Sequence, residues 1–586
     1  MQDKRNEGYV RETVEQLVRG AVRSAVDAGE LAVDPAVVSD IGIERPRDAS
    51  HGDWASAIAL RIAKAAGKNP RQLAEIIARH ISDSDAIESV EIAGPGFINM
   101  RLSQAALTRV VREARERDRG FGSSDTGKGQ RVQVEFVSAN PVGPLHIGHG
   151  RWAALGESMA RLLGHTGHEV QREFYINDAG VQMANFGKSL SVRYLQLCGF
   201  DATMPENAYH GAYVCDIAQA IKDDIGDAWV GLSDAEREHN LRERGYAAVL
   251  EHLKAFLSSV GVDFDVWFSE RTLYEGAPSA IEAALAVMRE GGHLFEADDA
   301  LWFRSTDFGD DKDRVLVKAD GTYTYFAPDI AYHKDKFDRG FDRVIDIWGA
   351  DHHGYVTRMK AAVTALGHDG KLEVVIGQLV NVLRDGVPVR MSKRTGEMIT
   401  FEELVDEVGA DATRYWFLRR DTDQTVDFDI VKAVERSADN PIYYVQYAYA
   451  RICSVIRKAY GVNDEVDALV ARGESIPVQF TADTLVAALA GDIDLSSLTE
   501  LAELALVRKI SEFPELVEIA ARDLAPYKLT YFCEELAALF HQFYAQCRII
   551  DETGTVDDAR LALADATRRT LRAAFDLIGI DAPERM

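Results

Sequence analysis

The 586-residue sequence predicts an α/β protein: a parallel sheet with a helical insertion, preceded by an α+β unit and followed by an all-helical one. Three observations carry this. VQVEFV (132–137), a helical pattern near 149–163 and HEVQREFYI (168–176) form a strand–helix–strand run typical of parallel βαβ units. After a long helical stretch at roughly 180–290, sheet-like segments resume. They are RVLVK and TYTYF around the Asp320-Gly321 turn, RVIDIWG (343–349) and LEVVIGQLVNVL (372–383). From about 441 onward, apolar residues recur at i, i+3 and i+4, most clearly in 523–550 and 559–580.

The first unit spans 1–118. It opens with MQDKRNEGYVRETVEQLVRG, a charged amphipathic helix without the apolar core of a secretory signal. NPRQLAEIIARH (69–80) suits a helix start, with Asn69 as cap and Pro70 at the first position. EIAGPGFINMRL (91–102) reads as a strand, and glycine- and serine-rich RDRGFGSSDTGKGQ (117–130) as a flexible linker. The central unit then runs over 119–440, with its helical insertion at about 190–295, and the last unit over 441–586. No internal repeat or low-complexity tract interrupts the chain.

Bulk composition narrows the function classes. Hydrophobic content of 47% with 27% charged residues belongs to a folded globular chain. No apolar run approaches the ~18–20 residues that span a bilayer. Five cysteines, odd in number and without a CxxC pair, argue against a disulfide framework or zinc knuckle and for a reducing cytoplasm. A net charge of −28 argues against a protein that coats nucleic acid by bulk attraction, though not against one with a local basic patch.

ANPVGPLHIGHG (139–150) places His146 and His149 where a strand hands over to a helix. A helix N-terminus offers unpaired N–H groups and a positive dipole end to phosphate, the imidazoles add donors, and Gly148 lets a flat base approach the backbone. Two alternatives stay open: a structural pair, or a metal site completed by His352 and His353. A second stretch, DGVPVRMSKRTGEMITFEE (385–403), carries Lys393 at a loop tip, with Thr400 and Glu403 as a capping box for the next helix. Taken alone it is a basic surface loop.

Together, HxGH after the first strand and MSKR after the last resemble the class I aminoacyl-tRNA synthetases, with Arg390 where their second signature begins with lysine. The resemblance implies a Rossmann-type catalytic domain in which both signatures clamp ATP while an amino-acid carboxylate attacks the α-phosphate. A guanidinium substrate calls for carboxylates in such a site, and Glu135 and Asp329 are placed to supply them. The match narrows further. VEFVSANPVGPLHIGHGR (134–151), EFYINDAG (173–180), YFAPDIAYH (325–333), WGADHHGY (348–355) and NPIYYVQYAYARI (440–452) are similar to arginyl-tRNA synthetases of the bacterial type. So are segments of both flanking units, and the likeness covers almost the whole chain.

The resemblance implies ligation of L-arginine to tRNA(Arg) through an arginyl-adenylate, with release of AMP and pyrophosphate. It implies catalytic roles for His146, His149 and Lys393, and ATP contacts from Pro144, His146, Gly148, His149, Met391, Ser392, Lys393 and Arg394. Arginine contacts fall to Glu135, Ser138, Asn140, Tyr325, Asp329, His352 and His353. It further implies Mg²⁺ with the ATP, no structural zinc, no DNA or membrane partner, a cytoplasmic monomer, an anticodon-binding helical C-terminal domain, and activation that needs bound tRNA. Family members lacking the signature lysine often carry one three residues before the first histidine. Gly143 stands there in this chain, so Gly143→Lys is expected to rescue loss of Lys393 in part. Editing is not expected, because unpaired buried carboxylates already reject wrong side chains. Competing readings are a class I synthetase for glutamate, glutamine or cysteine, a nucleotidyltransferase that uses HxGH without tRNA, and a non-catalytic RNA-binding relative.

Overall fold

The structure, a computed structural model, describes residues 10–34, 41–46, 48–81, 84–389, 399–489 and 493–586. In the N-terminal unit Asn69 Oδ1 accepts the Arg71 N–H at 2.9 Å, and Pro70 opens the helix Pro70–Ile81 as predicted. The single strand expected at 91–102 is instead a hairpin. Ile87–Ala93 pairs antiparallel with Phe97–Leu102, and Gly94 and Gly96 turn the chain at φ of 49° and 143°. Trp54–Ser56 and Ile43–Glu44 extend this to four antiparallel strands.

The stretch at 117–130 is not a free tether. Phe121 is fully buried and stacks on Phe513 of the C-terminal bundle, centroids 5.6 Å apart. A Cβ at Gly122 would stand 2.9 Å from the same ring, so this glycine reflects close packing.

The central unit holds five parallel strands: β1 (Arg131–Glu135), β2 (Glu169–Ile176), β3 (Val266–Ser269), β4 (Arg343–Gly349) and β5 (Leu372–Gly377). Their spatial order is β3-β2-β1-β4-β5, which puts the topological switch point between β1 and β4. Helix α1 (Ile147–His165) follows β1, and α2 (Phe326–Asp338) precedes β4. The helical stretch read at 180–290 is divided by β3, a short strand flanked by long helices. Helices Gly180–Leu197, Ala212–Ile225 and Asp234–Ser259 join β2 to β3. Helix Ala280–Glu290 and a three-stranded antiparallel sheet then precede α2.

Two sheet-like readings resolve differently. TYTYF is not a strand, because only a Val317–Tyr323 bridge forms and Tyr325 caps α2, where Pro328 is tolerated in the first turn. LEVVIGQLVNVL is two strands: β5 ends at Gly377, and Val380–Arg384 joins a separate sheet with Val387–Pro388 and Val426–Asp429.

The C-terminal helices Pro441–Ala459, Leu501–Arg522, Tyr527–Gln546 and Asp558–Ile578 form a bundle. The last one packs on both Gln104–Arg117 and α1. Its fully buried Asp565 accepts from Arg115 (3.1 Å), Arg568 (2.8 Å) and Arg569 (3.0 Å), locking the bundle to the N-terminal unit. Among the described residues no helix is long and apolar enough to cross a membrane.

Candidate active site

At the switch point the chain leaves β1 under strain. Val137 and Ser138 both take positive φ, 69° and 40°, an unfavourable region for a β-branched residue in particular. The strain places Ser138 over the strand end, where its Oγ donates to Glu135 Oε1 at 2.8 Å and accepts the Tyr175 N–H at 3.2 Å. Asn140 sits in the same loop, its amide donating to the Asn177 carbonyl at 3.5 Å. Pro144 lies exposed on the approach to α1.

His146 is the N-cap of α1 and forms a reciprocal box with His149. His146 Nδ1 accepts the His149 N–H at 3.3 Å, and His149 Nδ1 accepts the His146 N–H at 3.2 Å. Because both Nδ1 atoms accept, this network assigns the ring proton of each histidine to Nε2. The rings stack at 3.6 Å. Burial, reinforced by His146, holds the His149 imidazole well below its ordinary pKa, and hence neutral.

Trp152 stands edge-on to both rings, at 5.8 and 5.2 Å. A Cβ at Gly349 or Gly377 would come within 2.9 or 2.4 Å of the indole, so the glycines ending β4 and β5 make room for it. Gly148 in the first turn would carry its Cβ 2.9 Å from His146 Cε1.

The chain that follows the second signature meets the first. Met391, Ser392, Lys393 and Arg394 lie outside the described residues, but the chain emerging from that segment is pinned to the histidine turn. Thr400 bridges to His146, and the Phe401 N–H donates to the Leu145 carbonyl at 2.9 Å. Thr400 and Glu403 form the predicted capping box. The strands on either side of the segment are held by Arg151, whose fully buried guanidinium donates to the carbonyls of Gln378 (2.8 Å), Gln424 (2.7 Å) and Asp421 (2.8 Å). Burial lowers this guanidinium to about 10, with Asp421 and Asp423 opposing.

On the other side of the switch point lies a carboxylate pocket. Asp329, in the first turn of α2, accepts the Tyr355 hydroxyl at 2.6 Å. Burial raises it to about 6. Glu270, in the turn after β3, is buried and accepts the Tyr274 hydroxyl at 3.3 Å. Burial and then the charge of Asp329 raise it to about 7. Sequence reasoning missed Glu270, since it sits in the helical-looking stretch. The carboxyl-terminal end of β3 was its one signal, and that strand was not recognised. Glu135 is buried too, and its carboxylate is shared between Ser138 and Lys336.

Tyr325, the residue before α2, is 79% exposed. His352 and His353 are exposed on the turn after β4, His352 lying 3.6 Å from Asp351. Among the described residues no cluster of three or more His, Cys, Asp or Glu could hold a metal ion, so the four-histidine alternative is not assembled.

A sheet in this order, bearing at its switch point a two-histidine helix tip to which Thr400 bridges, defines a class I aminoacyl-tRNA synthetase. Three family profiles tile the chain. "Arginyl tRNA synthetase N terminal domain" matches 12–102, "tRNA synthetases class I (R), catalytic domain" 116–439 and "DALR anticodon binding domain" 445–586. The chain belongs to the arginyl-tRNA synthetase family. It is 45% identical over 578 residues to the arginine–tRNA ligase of Heliobacterium modesticaldum, covering 98% of this chain and 99% of that one. It is 44% identical over 580 residues to that of Bacillus subtilis, covering 98% and 100%. The structure of Thermus thermophilus arginyl-tRNA synthetase shares the fold at a TM-score of 0.68, with 21% identity over 98% of this chain and 100% of that one.

Proposed function

We propose that the chain activates L-arginine with ATP and transfers it to tRNA(Arg), using the crevice between β1 and β4. What supports this is convergence: the two-histidine helix tip follows β1 at the switch point, and the buried Glu135 and Glu270 lie close enough to the half-buried Asp329 for their charges to act on it or be acted on by it. The triphosphate lies against the α1 N-terminus, the Nε2–H groups of His146 and His149, and Lys393. The guanidinium is received by Asp329, Glu270 and Glu135, with Tyr325 closing the mouth. Asn140 and Ser138 face the α-amino end.

The reaction needs no general base, since the attacking α-carboxylate is already an anion. Its oxygen attacks the α-phosphorus in line, the bond to the β-phosphate oxygen breaks, and pyrophosphate leaves. The neutral imidazoles donate to phosphoryl oxygens as charge builds there. A terminal ribose hydroxyl of the tRNA then attacks the mixed-anhydride carbonyl and releases AMP. Mg²⁺ would enter with the triphosphate and neutralise part of its charge.

Aromatic and basic residues on the C-terminal bundle support the RNA contact. Tyr443 and Tyr447 stack at 5.9 Å, and Arg451 lies 5.8 Å from Tyr447 and 4.7 Å from Tyr544, a surface on which splayed nucleotides can stack. The test is pyrophosphate exchange into ATP with each amino acid, with and without tRNA. Exchange is expected with arginine and no other amino acid, and only when tRNA is present; exchange with another amino acid, or none with arginine plus tRNA, overturns the reading.

A further inference from the structure

Beneath the arginine pocket, sheet register sets three carboxylates in a row. Glu173 on β2, Glu135 on β1 and Asp346 on β4 are direct partners across neighbouring strands, so they leave the same face of the sheet, toward α2. All three are buried. Like charges directly opposite on adjacent strands repel, and more strongly away from water.

Helix α2 answers them. Lys336 is 0% exposed, and its Nζ donates to Glu135 Oε2 and to Asp346 Oδ1 at 2.8 Å. Arg339 donates to Glu173 at 2.9 Å. His333 Nε2 meets the second Asp346 oxygen at 2.8 Å, while its Nδ1 meets the Asp329 carbonyl at 2.8 Å. Lys336 lies two helical turns beyond Asp329 on the same side of α2.

We propose that Lys336 is a positioning residue for arginine recognition. By bridging Glu135 and Asp346 it keeps Glu135 ionised and aimed, so that a positive charge under the site strengthens binding of a cationic substrate. The proposal rests on the reading of Glu135 as an arginine ligand.

Charge counting predicts the opposite sign, because removing a cation beside a cation pocket should tighten it. Burial reverses this. The groups around Glu135 are Asp346 on β4, Glu173 and Tyr175 on β2, and Asp329, Tyr332, His333, Lys336 and Arg339 on α2. Arg339 is committed to Glu173 and His333 to Asp346. Burial already pushes Glu135 up, Lys336 pulls it back, and Asp346 pushes it up again. Without the ammonium, burial and the charge of Asp346 act unopposed on Glu135, shifting it toward the protonated form, which accepts less well from a guanidinium.

The test is Lys336→Met in the full-length enzyme, with KM for arginine and for ATP measured by pyrophosphate exchange in the presence of tRNA at pH 7 and pH 9. Expected is a rise of about tenfold or more in arginine KM at pH 7 and a smaller one at pH 9, with ATP KM within about twofold of wild type. Lys336→Gln, which keeps a donor without the charge, carries the same expectation should the methionine variant not fold. Arginine KM that falls or is unchanged at pH 7, or rises equally at both pH values, overturns the proposal. Glu135→Gln separates the two claims. If it leaves arginine KM unchanged, Glu135 is no ligand and the proposal falls with that reading. If it raises arginine KM while the Lys336 variants do not, the Lys336 proposal alone falls.

Discussion

The proposed arginine pocket holds carboxylates that resist ionisation, and this gives substrate binding a pH dependence that can be worked out in advance. Burial raises Asp329 to about 6 and Glu270 to about 7, the latter helped by the charge of Asp329. A guanidinium needs both as anions. Arginine therefore binds the doubly ionised pocket, and its apparent affinity falls as protons compete. Each group weakens binding by one plus the ratio of its protonated to ionised forms. The product is about 1.1 at pH 8 and about 20 at pH 6. Arginine KM should accordingly rise about twentyfold from pH 8 to pH 6, while ATP KM does not follow it. Glu270→Gln raises arginine KM throughout and leaves about a twofold slope, from Asp329 alone. Pyrophosphate exchange at constant ionic strength measures the slopes. Calorimetry in buffers of different ionisation heat should show about half a proton released per arginine at pH 7. A flat arginine KM between pH 6 and 8, or an undiminished slope in Glu270→Gln, would show that these carboxylates do not form the pocket.

His149→Ala and Lys393→Ala should each cut adenylate formation at least about a hundredfold in single-turnover assays, the cost of one lost charge-stabilising donor; near-native rates in either variant would remove that residue from the phosphate site. Gly143→Lys is not a simple rescue, because a Cβ at Gly143 would stand 2.8 Å from the Tyr213 ring. Partial recovery of Lys393→Ala is expected once Tyr213→Ala opens that space, and none in the triple variant would count against interchangeable lysines. Phe121→Ala should destabilise the packing of the bundle on the 117–130 segment by about 3–5 kcal/mol, seen as a lower denaturation midpoint; an unshifted midpoint would restore the free-linker reading.

Much of the catalytic frame was legible because it depends on local chemistry. Two histidines before an amphipathic run announced a helix tip, and Thr400–Glu403 announced a capping box; both formed. Long strands with buried apolar faces, such as β4 at Arg343–Gly349, were equally plain. What failed was short or reused pattern. β3 is four residues between long helices, and with it Glu270 was lost. TYTYF has strand-like composition, yet tertiary packing turned Tyr325 and Phe326 into a helix start.

Other features lie beyond any reading of neighbours in sequence. Glu135 and Asp346 are 211 positions apart, and the sheet register alone makes them partners. Glu173 joins them only because β2 pairs with β1 in step. A slip of one residue between β1 and β4 would turn one of the two carboxylates to the opposite face of the sheet and leave Lys336 with a single partner. The demand then runs in both directions. Three buried anions would force the strands apart without the cations of α2, and Lys336 in the sheet interior would be a costly unpaired charge without the anions. That mutual requirement fixes α2 against the switch point, and Asp329 on the same helix is thereby delivered to the crevice one side of which is formed by the histidine tip of α1. The charge row thus specifies where the carboxylates proposed to receive the guanidinium stand, and through Glu135 it shares a residue with them.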